Sequence, residues 1–140
     1  MKNQQKPIST HPDPRGTLTV VEHSGIPFIP ARSFVVSQVP IAGQRGGHAH
    51  LFCRQFLVVA YGILRVDTDN GNGVLAGYTL MAGQSILLEP MVWATQKFML
   101  PHTVLMTYCN HPYDEQDYIR NYEKFISTVE GANYKRQNGI

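Results

Sequence analysis

Gln55-Phe56-Leu57-Val58-Val59-Ala60-Tyr61-Gly62-Ile63-Leu64-Arg65-Val66-Asp67 is the stretch from which the fold class follows. It is rich in the branched and aromatic residues that favour extended chain, and Tyr61-Gly62 breaks it in the middle. Two strands result, Gln55–Ala60 and Ile63–Asp67. The pattern repeats outward in both directions. Thr17–Glu22, Ser33–Val39, Gly77–Met81, Ser85–Leu88 and Thr103–Tyr108 are runs of the same character, separated by Pro and Gly. Asp69-Asn70-Gly71-Asn72-Gly73 supplies residues that tolerate positive φ, so it reads as a turn between two strands. Many short strands with regular turn signals predict an all-β sandwich or barrel.

Only the C-terminal part has helical spacing. Tyr118, Ile119, Tyr122, Phe125 and Ile126 recur at intervals of three and four, predicting a helix over 114–127. Asp114, Glu115 and Asp117 then fall at its start, where carboxylates favour the positive end of the dipole. Residues 128–140 read as a flexible tail.

The chain has 140 residues, 43% of them hydrophobic and 16% charged, which excludes intrinsic disorder and suits one domain over 1–140. No apolar run approaches the ~18–20 residues of a membrane span. The polar opening Met1–Lys6 has no apolar segment of a leader behind it, so a soluble, cytoplasmic protein is expected. Net charge is +2 and the basic residues are scattered, so no stripe exists for tracking nucleic acid. Cys53 and Cys109, far apart in sequence, read as two reduced thiols.

The densest chemical signal is Arg45-Gly46-Gly47-His48-Ala49-His50. Alternation along a strand sends His48 and His50 to one face. Two imidazoles so placed can share a metal, share a proton-transfer task, or lie idle at the surface. Gly46-Gly47 lets the backbone bend or a ligand approach closely.

The same stretch resembles the first motif of the cupin barrels, with Gly43, His48-Ala49-His50, Gln55 and Gly62 in the expected frame. Gln55 stands where metal cupins carry an acidic ligand. The stretch Gly83 to Pro90-Met91-Val92-Trp93-Ala94 lacks their third histidine. Two neutral nitrogens and an amide make a poor cage for a divalent ion, so no metal is expected.

A more specific resemblance lies within that one. The His48 motif with Gln55, Gly62, Asp67 and Trp93, followed by Tyr113-Asp114-Glu115-Gln116-Asp117-Tyr118-Ile119-Arg120-Asn121-Tyr122, is similar to the WxcM-like sugar 3,4-ketoisomerases. It extends over about residues 9–127. The resemblance implies a jelly-roll cupin with a short C-terminal helix and no metal or other cofactor. It also implies a homodimer with exchanged N-terminal strands. The activity implied moves the carbonyl of dTDP-4-keto-6-deoxyglucose from C4 to C3, for deoxy or amino sugars of surface polysaccharide such as O-antigen lipopolysaccharide. His48 and His50 match the catalytic pair, and Arg45 and Arg32 match binding arginines. The chain departs from the family after Arg32 (Ser33-Phe34-Val35-Val36) and after His50 (Leu51-Phe52), which bears on the sugar contacts.

Elementary chemistry gives those residues roles. Shifting a carbonyl to the next carbon needs a base for the C–H beside the ketone and donors for the enediol oxygens. Imidazole serves both near neutrality. His50 is assigned to carbon and His48 to oxygen. Arg45 or Arg32 can hold a pyrophosphate, Gln55 can contact substrate, and Trp93 or a tyrosine can stack on the thymine or the sugar ring. Two alternatives stand beside this: a nucleotide-sugar epimerase, which normally supports its histidine with an aspartate, and a non-catalytic sugar-binding cupin. No His–Asp pair is interpretable from the spacing.

Overall fold

The computed structural model describes residues 5–140, so the polar opening Met1–Gln4 lies outside the described residues. Strands form at all seven predicted runs, and five more join them where no branched or aromatic run announces one. In chain order they are β1 (Gln5–Pro7), β2 (Ser9–Asp13), β3 (Gly16–Val20), β4 (Arg32–Val36), β5 (Gly43–His50), β6 (Gln55–Tyr61), β7 (Ile63–Asp69), β8 (Leu75–Met81), β9 (Gln84–Leu88), β10 (Trp93–Phe98), β11 (Val104–Cys109) and β12 (Tyr118–Ile119). One helix, α1, spans Tyr122–Gln137.

Ten of these strands make two five-stranded sheets, ordered β1-β9-β6-β11-β4 and β12-β5-β10-β7-β8, while β2 and β3 form a separate hairpin. The sheets stack face to face as a jelly roll without joining into a closed cylinder. Leu57, Val59, Leu64, Val66, Ile86, Phe98 and Leu105 fill the space between them. The outer face of the first sheet is covered by Ile8, Val21, Ile26 and Phe28 of the N-terminal segment.

The helix covers the outer face of the second sheet. Phe125 and Val129 pack with Ala49 and Ile119, and Trp93 lies against the cluster. This helix starts eight residues later than its apolar spacing predicts. Asp114 accepts from the Gln116 N–H and caps a short 3-10 turn, Glu115–Asp117. The chain then extends into β12 before Asn121, accepting from the Lys124 N–H, starts the true helix. Tyr118 and Ile119 therefore continue the spacing from a strand. The stretch 128–140 is corrected likewise, since helix continues through it as far as Gln137.

Candidate active site

His48 and His50 end β5, between β10 and β12. Their rings lie edge to face, centroids 5.0 Å apart. Tyr118, paired with His50 across β12, brings its ring to 4.4 Å from His50 and 5.1 Å from His48. Both imidazoles line the end of the inter-sheet space together with Gln55, Cys53 and Gln96, around a cavity of about 10 Å³. That volume is near the ~10–15 Å³ needed for one water.

The glycines ahead of the histidines set what else faces this space. Ala94 pairs with His48 but Thr95 pairs with Gly46, so Gly47 is one residue in excess, a β-bulge. Gly46 and Gly47 have φ of 78° and 74°, and a Cβ on Gly46 would meet the Ala94 carbonyl oxygen at 2.9 Å. The extra residue changes the parity of the strand. Arg45 pairs with Gln96, a cavity residue, and so falls on the side of His48 and His50. Without the bulge it would point away.

His50 has the more elaborate setting. Its Nδ1 lies 2.8 Å from Asp117 Oδ2, and both side chains are buried. The Phe52 N–H donates to the other carboxylate oxygen at 2.7 Å. Since the carboxylate only accepts, Nδ1 carries the proton and Nε2 keeps its lone pair. Nε2 is buried and has no hydrogen-bond partner among the described residues. This pair is what spacing alone did not reveal: its members are 67 residues apart and meet because β12 pairs with β5.

Both histidines are neutral near pH 7. Burial, with the positive charges of His50 when protonated and of Arg120 acting the same way, lowers His48 to about 4. Burial also lowers His50, against the pull of Asp117 in the opposite direction. Asp117 itself is held below the usual carboxylate range by its bonds to His50 and Phe52, although its burial acts the other way.

Arg32 lies between the rings of Phe34 and Tyr113, at 5.7 and 5.6 Å, and its Nη2 donates to Cys109 Sγ at 3.4 Å. Gln55 Nε2 donates to the same sulfur at 3.6 Å. Arg120 covers the Tyr118 ring at 4.3 Å and is paired with Glu115. Gln55 lines the cavity with the histidines and shares Cys109 with Arg32, while Arg45, exposed, lies on their side of β5 by register. Trp93 lies elsewhere. It faces outward from β10, its ring 5.3 Å from Tyr122 and 5.7 Å from Phe125, under the helix. It is separated from the histidines because neighbours on a strand take opposite faces and Ala94 holds the inner one. Asp117, Tyr118, Arg120 and Tyr113 join the site, all from the segment whose resemblance was noted but whose roles were not.

Among the described residues His50, Cys53 and Asp117 bring possible metal-ligating atoms within 4.8 Å of one another. Both Asp117 oxygens already accept from N–H groups, Oδ2 from His50 and Oδ1 from Phe52.

Comparison with known proteins agrees with this chemistry. The family model FdtA, described as WxcM-like, C-terminal, matches residues 1–130. A TDP-4-oxo-6-deoxy-alpha-D-glucose-3,4-oxoisomerase of Aneurinibacillus thermoaerophilus is 32% identical over 127 residues, 89% of this chain and 91% of the relative. A sugar 3,4-ketoisomerase of Thermoanaerobacterium thermosaccharolyticum, crystallised with TDP, is similar at a TM-score of 0.82 and 25% identity, covering 93% of this chain and 96% of the other. The fold is also similar to that of a dTDP-4-dehydrorhamnose 3,5-epimerase of Bacillus anthracis, with a TM-score of 0.70 at 16% identity, covering 83% and 76%.

Proposed function

The chain belongs to the FdtA, WxcM-like family, and from that premise we propose that it is a sugar 3,4-ketoisomerase. It moves the carbonyl of dTDP-4-keto-6-deoxyglucose from C4 to C3 through an enediol. The observation that carries the mechanism is the unpartnered Nε2 of His50, whose other nitrogen is tied to Asp117. A buried imidazole with a free lone pair is a base in waiting. His50 takes the C3 proton and returns one to C4. Asp117 fixes the tautomer and stabilises the imidazolium formed between the two steps, a positioning role. His48, its neutral ring 5.0 Å away, exchanges protons with the sugar oxygens.

Arg45 and Arg32 bind the pyrophosphate, and the exposed Tyr113 ring beside Arg32 offers a face to the thymine. A hexose is far larger than the 10 Å³ cavity, so its entry moves the lining side chains apart. The reaction needs no metal, since Gln55 offers an amide where a ligating carboxylate would be needed. The molecule acts as a homodimer in the cytoplasm, in the synthesis of deoxy or amino sugars for surface polysaccharide. An exposed hairpin supports strand exchange: all five residues of β2 are exposed, and among the described residues β2 and β3 pair with each other.

Epimerisation at a carbon beside the ketone is a second reading, favoured by the same His50–Asp117 pair. The second histidine and the 32% identical oxoisomerase favour isomerisation. NMR of the products formed from dTDP-4-keto-6-deoxyglucose distinguishes them. A 3-keto product is expected; an inverted centre with the ketone still at C4 would support the epimerase, and unchanged substrate a binding protein.

A further inference from the structure

Isomerisation leaves two buried sulfur atoms beside the site without a task. Cys109 ends β11 and Cys53 precedes β6, and both are free thiols. Cys109 is directly opposite Gln55 in the β11–β6 ladder, two residues from Cys53. Cys109 Sγ receives Arg32 Nη2 at 3.4 Å and Gln55 Nε2 at 3.6 Å, while the Cys53 thiol donates to the Arg54 carbonyl oxygen at 3.4 Å. Two donors, one a guanidinium, converge on a single sulfur. A packing cysteine needs neither of them. The arrangement is one that stabilises a thiolate: the neighbouring Cys53 thiol, Arg32 and Gln55 lower Cys109, although its burial opposes this. The neighbouring Cys109 and burial move Cys53 the other way, so it keeps its proton. One sulfur is therefore the nucleophile and its neighbour the resolving thiol.

We propose that Cys53 and Cys109 form a reversible disulfide on exposure to a peroxide, and that this bond disarms the His50–Asp117 pair. The steps balance. Cys109 thiolate attacks one peroxide oxygen, the O–O bond breaks, and hydroxide leaves, giving a sulfenic acid. The Cys53 sulfur then attacks the sulfenic sulfur, the S–O bond breaks, and water departs with the Cys53 proton. Overall two thiols are oxidised to a disulfide while hydrogen peroxide is reduced to two waters. The consequence for the site follows from the backbone. Phe52, the residue before Cys53, donates its N–H to the Asp117 carboxylate. Drawing Cys53 onto Cys109 shifts that donor and with it the carboxylate that orients His50. Arg32 and Gln55 lose their anionic acceptor at the same time. This second half rests on the isomerase reading; the disulfide itself does not.

The test treats the full chain with hydrogen peroxide at pH 7 and follows intact mass, peptide mapping and isomerisation. A loss of 2 Da with a Cys53–Cys109 cross-link is expected, together with at least a ~10-fold fall in rate, both reversed by dithiothreitol. Cys53→Ser should give no cross-link and keep most of its own untreated rate. Oxygen atoms added to either sulfur without a cross-link, or two thiols that survive peroxide, would overturn the proposal. A cross-linked protein as fast as the reduced one would overturn the disarming step. Cross-linking in a protein that never isomerises would count against the isomerase reading and for the disulfide.

Discussion

On the proposed mechanism Asp117 makes His50 a base rather than a donor, and this role can be isolated. Asp117→Asn keeps the shape but lets the amide donate to Nδ1, which puts the imidazole proton on Nε2 and removes the lone pair. The expected result is a ~10²–10⁴-fold fall in kcat with KM little changed. Steady-state kinetics checks it, and a fall confined to KM would contradict the positioning role. The lowered histidine pKa values also have a consequence for stability. As pH falls, the unfolded chain takes up protons near 6.5, while folded His48 resists until about 4. The unfolded state binds more protons across that window, so stability declines from pH 6.5 toward 4 and this contribution levels off below. Urea midpoints at pH 7 and pH 5 should differ less for His48→Asn than for the parent, and equal differences would contradict it. At this scale only His48 and His50 follow from same-face spacing, whereas Arg45, Arg32 and Gln55 were indicated by the family resemblance. The role of Asp117 was not visible, since only the pairing of β12 with β5 brings it to His50.

The helix serves the site by holding β12 in place. Phe125 is fully buried against Ala49 and Ile119, and Tyr122 hydrogen-bonds Asp69 across the gap to β7. Phe125→Ala should cost ~3–5 kcal/mol by leaving a cavity under the helix. It should also slow turnover, because Ile119 is two residues from Asp117. Denaturant unfolding and assay of the still-folded fraction check this, and full activity in that fraction would sever the helix from the site. The seven predicted strands were legible because β-branched and aromatic runs end at Gly and Pro. The helix boundary was misplaced because Tyr118 and Ile119 extend the three-and-four spacing by coincidence, from a strand on the same packed surface. The bulge at Gly47 was legible only as flexibility, since parity is settled by the partner strand β10. The face of β10 that Trp93 takes was hidden for the same reason, a residue type with no register attached.

As a whole, the molecule pairs a jelly roll of two packed sheets with an exposed hairpin that lacks a core of its own. A two-stranded hairpin is marginal alone in water, which suits exchange with a second copy. Deleting residues 1–24 should give a monomer or an insoluble chain by light scattering, and a soluble, active dimer would refute exchange. The fold class was readable at this scale because it depends on summed local patterns, whereas a homodimer is implied by the family resemblance alone. The central claim, that His50 moves carbon-bound protons while His48 serves oxygen, is met most directly by isotope. Isomerisation of dTDP-4-keto-6-deoxyglucose in deuterium oxide should place deuterium at C4 of the 3-keto product, read by NMR. His50→Asn should abolish both product and exchange of the C3 hydrogen, while His48→Asn should slow turnover but retain that exchange. Exchange at C3 that survives in His50→Asn and vanishes in His48→Asn would reverse the assignment, and parent-like rates in both would contradict it outright.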